Sequence, residues 1–73
     1  MKKTILVCGA GGFIGGHLVS HLMKNKENKI ICADIKPKEF WFQIFEENKN
    51  FSLDLKEYEN CLKVTEGVDE IFN

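Results

Sequence analysis

Arginine is missing from all 73 residues, and the other scarcities in this chain narrow its reading further. Without a guanidinium there is no rigid fork for bidentate contacts to phosphates or bases. The ten lysines are scattered, and against eleven acids they leave a formal charge of −1, so no basic footprint for nucleic acid is present. No apolar stretch reaches the 18 residues that a membrane span requires. Ile5-Leu6-Val7-Cys8 behind Met1-Lys2-Lys3 imitates a signal peptide with a lipoprotein box. The run is too short for a secretory core, five glycines interrupt the stretch after it, and Val7 stands where cleavage needs a small residue. The three cysteines, Cys8, Cys32 and Cys61, are odd in number, contain no C-x-x-C and have no histidine near enough to complete a zinc set. Cys8 and Cys32 fall in apolar, strand-like runs where a thiol acts as a small hydrophobe, and a reducing cytoplasm is the expected compartment. The only tyrosine is Tyr58, with Leu62 four residues later, so there is no Tyr-x-x-x-Lys pair to poise a phenol for proton transfer. A G-x-S-x-G elbow and a paired-carboxylate pocket are also lacking. No catalytic constellation is written in these residues.

What is present begins with glycine. Gly9, Gly11, Gly12, Gly15 and Gly16 follow the apolar run Ile5 to Cys8, and Phe13-Ile14 sits among them. Spaced as Gly9-x-x-Gly12-x-x-Gly15, they strip a strand-to-helix turn of side chains where a pyrophosphate would approach the backbone. A helix N-terminus adds unpaired N–H groups and partial positive charge. The last glycine lets the helix pack closely on the strand. A dinucleotide is the natural ligand.

A chain this short forms at most one small domain, leaving roughly 40% of its unfolded-state surface exposed when folded. Lys3 to Cys8 reads as a strand buried on both faces of a parallel sheet, because its apolar residues do not alternate with polar ones. From Phe13 to about Lys24, Ile14, Leu18, Val19, Leu22 and Met23 recur at helical spacing. Asn25 to Asn28 is a polar connection, and Lys29 to Ala33 a second strand ending at Asp34. Beyond Pro37, residues 39–47 carry Phe40, Trp41, Ile44 and Phe45 and read as either a short helix or an aromatic loop. Phe51 to Leu53 is a third short strand. Asp54-Leu55-Lys56-Glu57 has the pattern of an N-cap with Glu at the third position, predicting a helix over Leu55 to Thr65 with Tyr58, Leu62 and Cys61 inward. Gly67 ends it, and Val68 to Phe72 starts a fourth strand. The order β-α-β-α-β-α-β, its middle helix left open, is the truncated N-terminal half of a Rossmann-type doubly wound parallel sheet. Residues 1–73 are therefore expected to be a partial dinucleotide-binding domain, with Val68 to Phe72 an unpaired apolar edge.

Asp34 lies 19 residues beyond Gly15, at the end of the second strand, where an acid accepts bonds from the adenosine ribose hydroxyls. A carboxylate there repels a 2′-phosphate, favouring NAD over NADP. Lys36 and Lys38 are read as solvated loop lysines or as groups reaching toward such a phosphate. Asp54 is read as a helix cap or as a contact to the adenine amino group. His17 and His21 share a metal-binding spacing without a third ligand and are read as partly exposed helix histidines. Phe40, Trp41, Phe42 and Phe45 are read as a small core or a subunit contact in preference to a base-stacking platform.

The segment Val7-Cys8-Gly9-Ala10-Gly11-Gly12-Phe13-Ile14-Gly15 resembles the extended short-chain dehydrogenase/reductases, the NAD-dependent epimerases and dehydratases of nucleotide sugars. Within them, Glu59 to Asp69 together with Phe72-Asn73 is similar to the GDP-mannose 3,5-epimerases, and the likeness is weak only across residues 40–50. The resemblance implies that Gly9, Gly12, Phe13, Ile14 and Gly15 hold the pyrophosphate and that Asp34 and Asp54 hold the ribose and adenine side of NAD. With the neighbours Gly11, Lys36 and Leu55, these are the candidate cofactor-binding residues. No catalytic or metal-ligating residue is expected in the chain. The implied reaction is oxidation at carbon 4 of the GDP-sugar, proton exchange at carbons 3 and 5, and return of the hydride, with GDP-mannose as the substrate of a longer parent and room for a homodimer. The Tyr-Lys pair and the Cys and Lys acid–base groups lie downstream of Asn73 in the family, so the 73-residue chain alone is expected to be inactive. Other readings are a 4-epimerase or dehydratase segment, or a non-catalytic nucleotide-binding module.

Overall fold

The computed structural model describes residues 2–73. Four parallel strands form one sheet: β1 (Lys3–Cys8), β2 (Asn28–Asp34), β3 (Lys49–Ser52) and β4 (Glu70–Phe72), in the spatial order β3-β2-β1-β4. The register runs from Lys3 opposite Asn28 to Cys8 opposite Ala33, and Ile5 to Val7 face Glu70 to Phe72. This is the strand order of the first half of a doubly wound fold.

Helix α1 (Phe13–Leu22) follows β1, and helix α2 (Tyr58–Thr65) precedes β4. Side chains alternate across a strand, so Ile5, Val7, Ile30 and Cys32 face one side with Ala10, Val19 and Trp41, while Leu6, Ile31 and Ala33 face the other with Val64. Covering both faces explains why β1 and β2 read as unbroken apolar runs. Right-handed crossovers put α1 and the β2–β3 connection on one face, because both steps move the same way along the sheet. The step from β3 back to β4 reverses direction and carries α2 to the opposite face.

Both helices are shorter than their sequence signals. At the end of α1, Lys24 N–H bonds to the His21 carbonyl at 3.2 Å, and the Asn28 side chain donates to the Leu22 carbonyl at 2.8 Å. These bonds close the helix at Leu22 instead of Lys24. Helix α2 begins at Tyr58, not Leu55, because Asp54 does not cap it: its Oδ1 accepts from Lys56 N–H at 2.9 Å, forming a side-chain turn before the helix. The buried face also differs from the expected one. Val64 is buried, whereas Tyr58 and Leu62 are 75% and 53% exposed. Gly67, at φ +72°, ends the segment in the left-handed conformation that glycine adopts without strain.

The β2–β3 connection contains only a short 3₁₀ turn, Lys38–Phe40, and is otherwise irregular, so the loop alternative for residues 39–47 holds. Its aromatics divide. Trp41 is buried and Phe45 packs against the core, while Phe40 and Phe42 are exposed. Among the described residues no helix is long and apolar enough to cross a membrane.

Candidate functional site

The glycine-rich turn leaves the C-terminal end of β1, beside the point where strand order reverses between β1 and β4. Its backbone donors can be accounted for one by one. Gly9 and Ala10 N–H donate to the Ala33 carbonyl at 2.8 and 3.2 Å, pinning the turn to the end of β2. Gly11 N–H donates to Asp34 Oδ2 at 2.8 Å. Gly12 N–H closes a turn on the Gly9 carbonyl at 3.1 Å, and Gly16 N–H makes the first bond of α1, to the Gly12 carbonyl at 2.8 Å. The N–H groups left without a carbonyl are those of Phe13, Ile14 and Gly15, the first helical turn, where α-helix geometry provides no partner. Gly12 occupies the N-cap position with no side chain to satisfy them. Three donors without a carbonyl partner and the positive end of a helix dipole suit this turn to an anion.

The glycines do different work. Gly9 has φ +75°, which a β-carbon disfavours. A β-carbon on Gly12 would meet nothing closer than the Gly9 carbonyl oxygen at 3.5 Å, so its bare face opens outward. One on Gly15 would collide with that same oxygen and lie 2.9 Å from the Gly9 carbonyl carbon and 3.0 Å from Ala10 Cα. Gly15 therefore sets the close approach of α1 to β1. A β-carbon on Gly11 would run into the Trp41 indole at 2.6 Å and Asp34 Oδ2 at 2.9 Å, so this glycine makes room for protein groups. Phe13 and Ile14 present exposed side chains, Ile14 at 82%, which removes Ile14 from the core stripe that its spacing suggested.

Asp34 is half-buried at the end of β2. Its Oδ1 accepts from Lys36 N–H at 3.0 Å, so each carboxylate oxygen holds one backbone donor. A carboxylate offers about four acceptor positions, which leaves capacity for two hydroxyl donors. Lys36 contributes through its backbone: its carbonyl accepts from Trp41 Nε1–H at 2.7 Å and from Ser52 Oγ at 3.0 Å, while its side chain is exposed. Leu53 N–H bonds to the Asp34 carbonyl at 2.9 Å, which brings Asp54 and Leu55 to the same edge of the sheet. Leu55 packs against the core on the α2 side. All ten sequence-derived candidates therefore lie at the C-terminal ends of β1, β2 and β3. Sequence reasoning read Trp41 as part of a small core or a subunit contact and missed its bond to the Lys36 carbonyl; a lone tryptophan needing an N–H partner when buried was the signal available.

The remaining reactive groups are quiet. Burial pushes the Cys32 thiol up to about 11, partly offset by the Asn48 side chain, and burial with Cys61 nearby raises Cys8. The Cys61 thiol donates to the Leu55 carbonyl at 2.8 Å. The His17 ring packs edge-on to Phe13 at 4.5 Å, and among the described residues no three His, Cys, Asp or Glu side chains gather as a metal site. A cavity of about 450 Å³ sits at the opposite end of the strands, near Lys26, Asn28 and Lys49, and contains none of the candidate residues.

The family model described as "NAD dependent epimerase/dehydratase family" matches residues 5–73. The chain is 42% identical over 72 residues to GDP-mannose 3,5-epimerase 1 of Oryza sativa subsp. japonica, covering 99% of this chain and 19% of that protein. It is 42% identical over 69 residues to GDP-mannose 3,5-epimerase of Arabidopsis thaliana, covering 94% of this chain and 18% of that protein. UDP-glucuronic acid decarboxylase 6 of Arabidopsis thaliana is 60% identical over 33 residues, or 45% of this chain and 10% of its own length. The chain thus spans about a fifth of the length of the curated epimerases it matches.

Proposed function

The chain belongs to the NAD dependent epimerase/dehydratase family, and from that premise we propose that it binds the adenosine diphosphate half of NAD within a nucleotide-sugar epimerase of the GDP-mannose 3,5-epimerase type. The observation that carries this reading is the donor count around the glycine turn: the N–H groups of Phe13, Ile14 and Gly15 are left without a carbonyl next to the outward bare face of Gly12. Gly9, Gly11, Gly12 and Gly15 shape the cradle for the pyrophosphate. Asp34 accepts the ribose hydroxyls on its remaining lone pairs and excludes a 2′-phosphate by charge. Lys36 fixes one oxygen of that carboxylate through its N–H, and Asp54 and Leu55 border the adenine side. Bound NAD supplies a hydride acceptor and donor for a sugar carbon.

The preference for the epimerase over a decarboxylase or dehydratase rests on extent. Similarity to the GDP-mannose 3,5-epimerases covers 99% of the chain, whereas that to the decarboxylase covers 45%. GDP-mannose as substrate and a homodimeric parent follow from the same reading. Because the 73 residues include no Tyr-x-x-x-Lys pair to move the sugar's protons, the chain alone is proposed to be inactive.

Titration of NAD into the isotopically labelled chain tests the cofactor assignment. The Phe13, Ile14 and Gly15 amide resonances move, and Asp34→Ala weakens binding by about tenfold or more through loss of a charged acceptor. Resonances that stay fixed at millimolar NAD in a folded chain would overturn it. Epimerisation of GDP-mannose by the chain alone would contradict the argument from missing groups.

A further inference from the structure

Where a doubly wound fold has a helix between β2 and β3, this chain has a loop held by one buried side chain, Trp41, its sole tryptophan. The contacts around that indole converge on a single feature, the pair of hydrogen bonds that tie the Asp34 carboxylate. On one side, Trp41 Nε1–H donates to the Lys36 carbonyl at 2.7 Å, and Lys36 N–H holds Asp34 Oδ1 at 3.0 Å. On the other, the indole lies over Gly11, whose N–H holds Asp34 Oδ2 at 2.8 Å, and the next residue, Phe42, donates its N–H to the Gly11 carbonyl at 2.8 Å. Phe42 also packs edge-on against Phe13, the first residue of the cradle helix, at 4.7 Å between ring centroids. The two-residue segment therefore braces both donors of the carboxylate and the start of α1 together.

We propose that Trp41 is a positioning residue for the adenosine half of the cofactor. It reaches no reacting atom. By clamping Lys36 and Gly11 it fixes the plane of the Asp34 carboxylate and the path of the glycine turn, so that less freedom is lost when the ribose and phosphates bind. The inference rests on the dinucleotide reading above, and it assigns to this loop a role that the glycine pattern does not contain. Gly11 belongs to the same device: only a residue without a β-carbon admits the indole and the carboxylate oxygen at once.

Trp41→Phe keeps a ring over Gly11 and removes the Nε1 donor, and Trp41→Ala removes both. Calorimetric titration of the full chain with NAD and with AMP is made at a temperature where urea curves show each variant folded. Trp41→Phe is expected to weaken NAD and AMP by the same factor, about three- to tenfold, and Trp41→Ala by a larger one. In the unaltered chain, saturating AMP changes the emission of Trp41. Affinities of Trp41→Phe equal to those of the unaltered chain would overturn the proposal, as would emission that does not respond to bound AMP. An unaltered chain that binds neither NAD nor AMP would instead overturn the dinucleotide reading on which the proposal stands.

Discussion

Gly15→Ala and Gly12→Ala separate packing from ligand approach with the same chemical change. At Gly15 the new methyl falls on the Gly9 carbonyl and within 2.9 and 3.0 Å of two backbone carbons. Restoring an ordinary separation of roughly 3.5 Å requires α1 to retreat from β1 by more than about half an ångström. That gap forfeits about a quarter to a half of each dispersion contact across the interface. The contacts affected include buried Val19 and half-buried Leu18 and Leu22 against Ile5, Val7 and Ile30. The expected loss is about 2–4 kcal/mol, larger than a typical overpacked core because backbone atoms receive the methyl. A domain of this size has about 4–10 kcal/mol in all, so the variant loses a large share of its stability and melts roughly 10–25 °C lower. At Gly12 the backbone is extended, at φ −83° and ψ 173°, and the methyl meets only the Gly9 oxygen at 3.5 Å. Stability there changes by less than about 1 kcal/mol, since a weaker cap and a stiffer unfolded chain oppose each other. NAD binding falls by about tenfold or more, because the methyl stands where the phosphates approach. Urea unfolding followed by Trp41 fluorescence, paired with NAD titration, reads both quantities. A Gly15→Ala midpoint equal to the parent's, or Gly12→Ala affinity equal to the parent's, refutes the corresponding assignment.

Two further outcomes come from the packing. The folded Cys32 thiol keeps its proton to about 11, above the ordinary value of 9.0, so the native state binds more protons than the unfolded chain between those values. Its contribution is complete below pH 9 and is lost as pH rises toward 11; the urea midpoint falls over that interval, and Cys32→Ala flattens the fall. An equally steep fall in the variant would remove Cys32 as the cause. Val64→Ala costs roughly 1–3 kcal/mol at a site that is 1% exposed, while Leu62→Ala and Tyr58→Ala each cost less than about 0.5 kcal/mol. The reverse ranking in thermal melts would return α2 to the register that its sequence pattern suggests.

Much of the fold was legible because its signals are local. β1 runs over the residues that its apolar run predicts, the glycine turn opens α1 at Phe13, and Gly67 closes the segment after α2. Ambiguity entered where one residue type serves two local structures. Asp54 fits both a helix cap and a side-chain turn, and its bond to Lys56 N–H decides for the turn. Ile14 shares the spacing of the α1 core stripe, yet it sits in the first turn beyond the end of β1, where no strand remains to cover it.

The sequence by itself determined that a bare strand-to-helix turn, an acid at the end of the next strand and a parallel sheet belong together, because spacing, periodicity and turn chemistry act between near neighbours in the chain. The spacing already gave the helix to the last glycine, Gly15; the tertiary structure alone decided that Gly12 opens outward and that Gly11 receives Trp41. Those roles depend on what lies across the missing β-carbon, and for Gly11 that is a side chain returned from the following crossover. No local pattern encodes such a neighbour; it exists only once the sheet has brought the ends of β1 and β2 side by side.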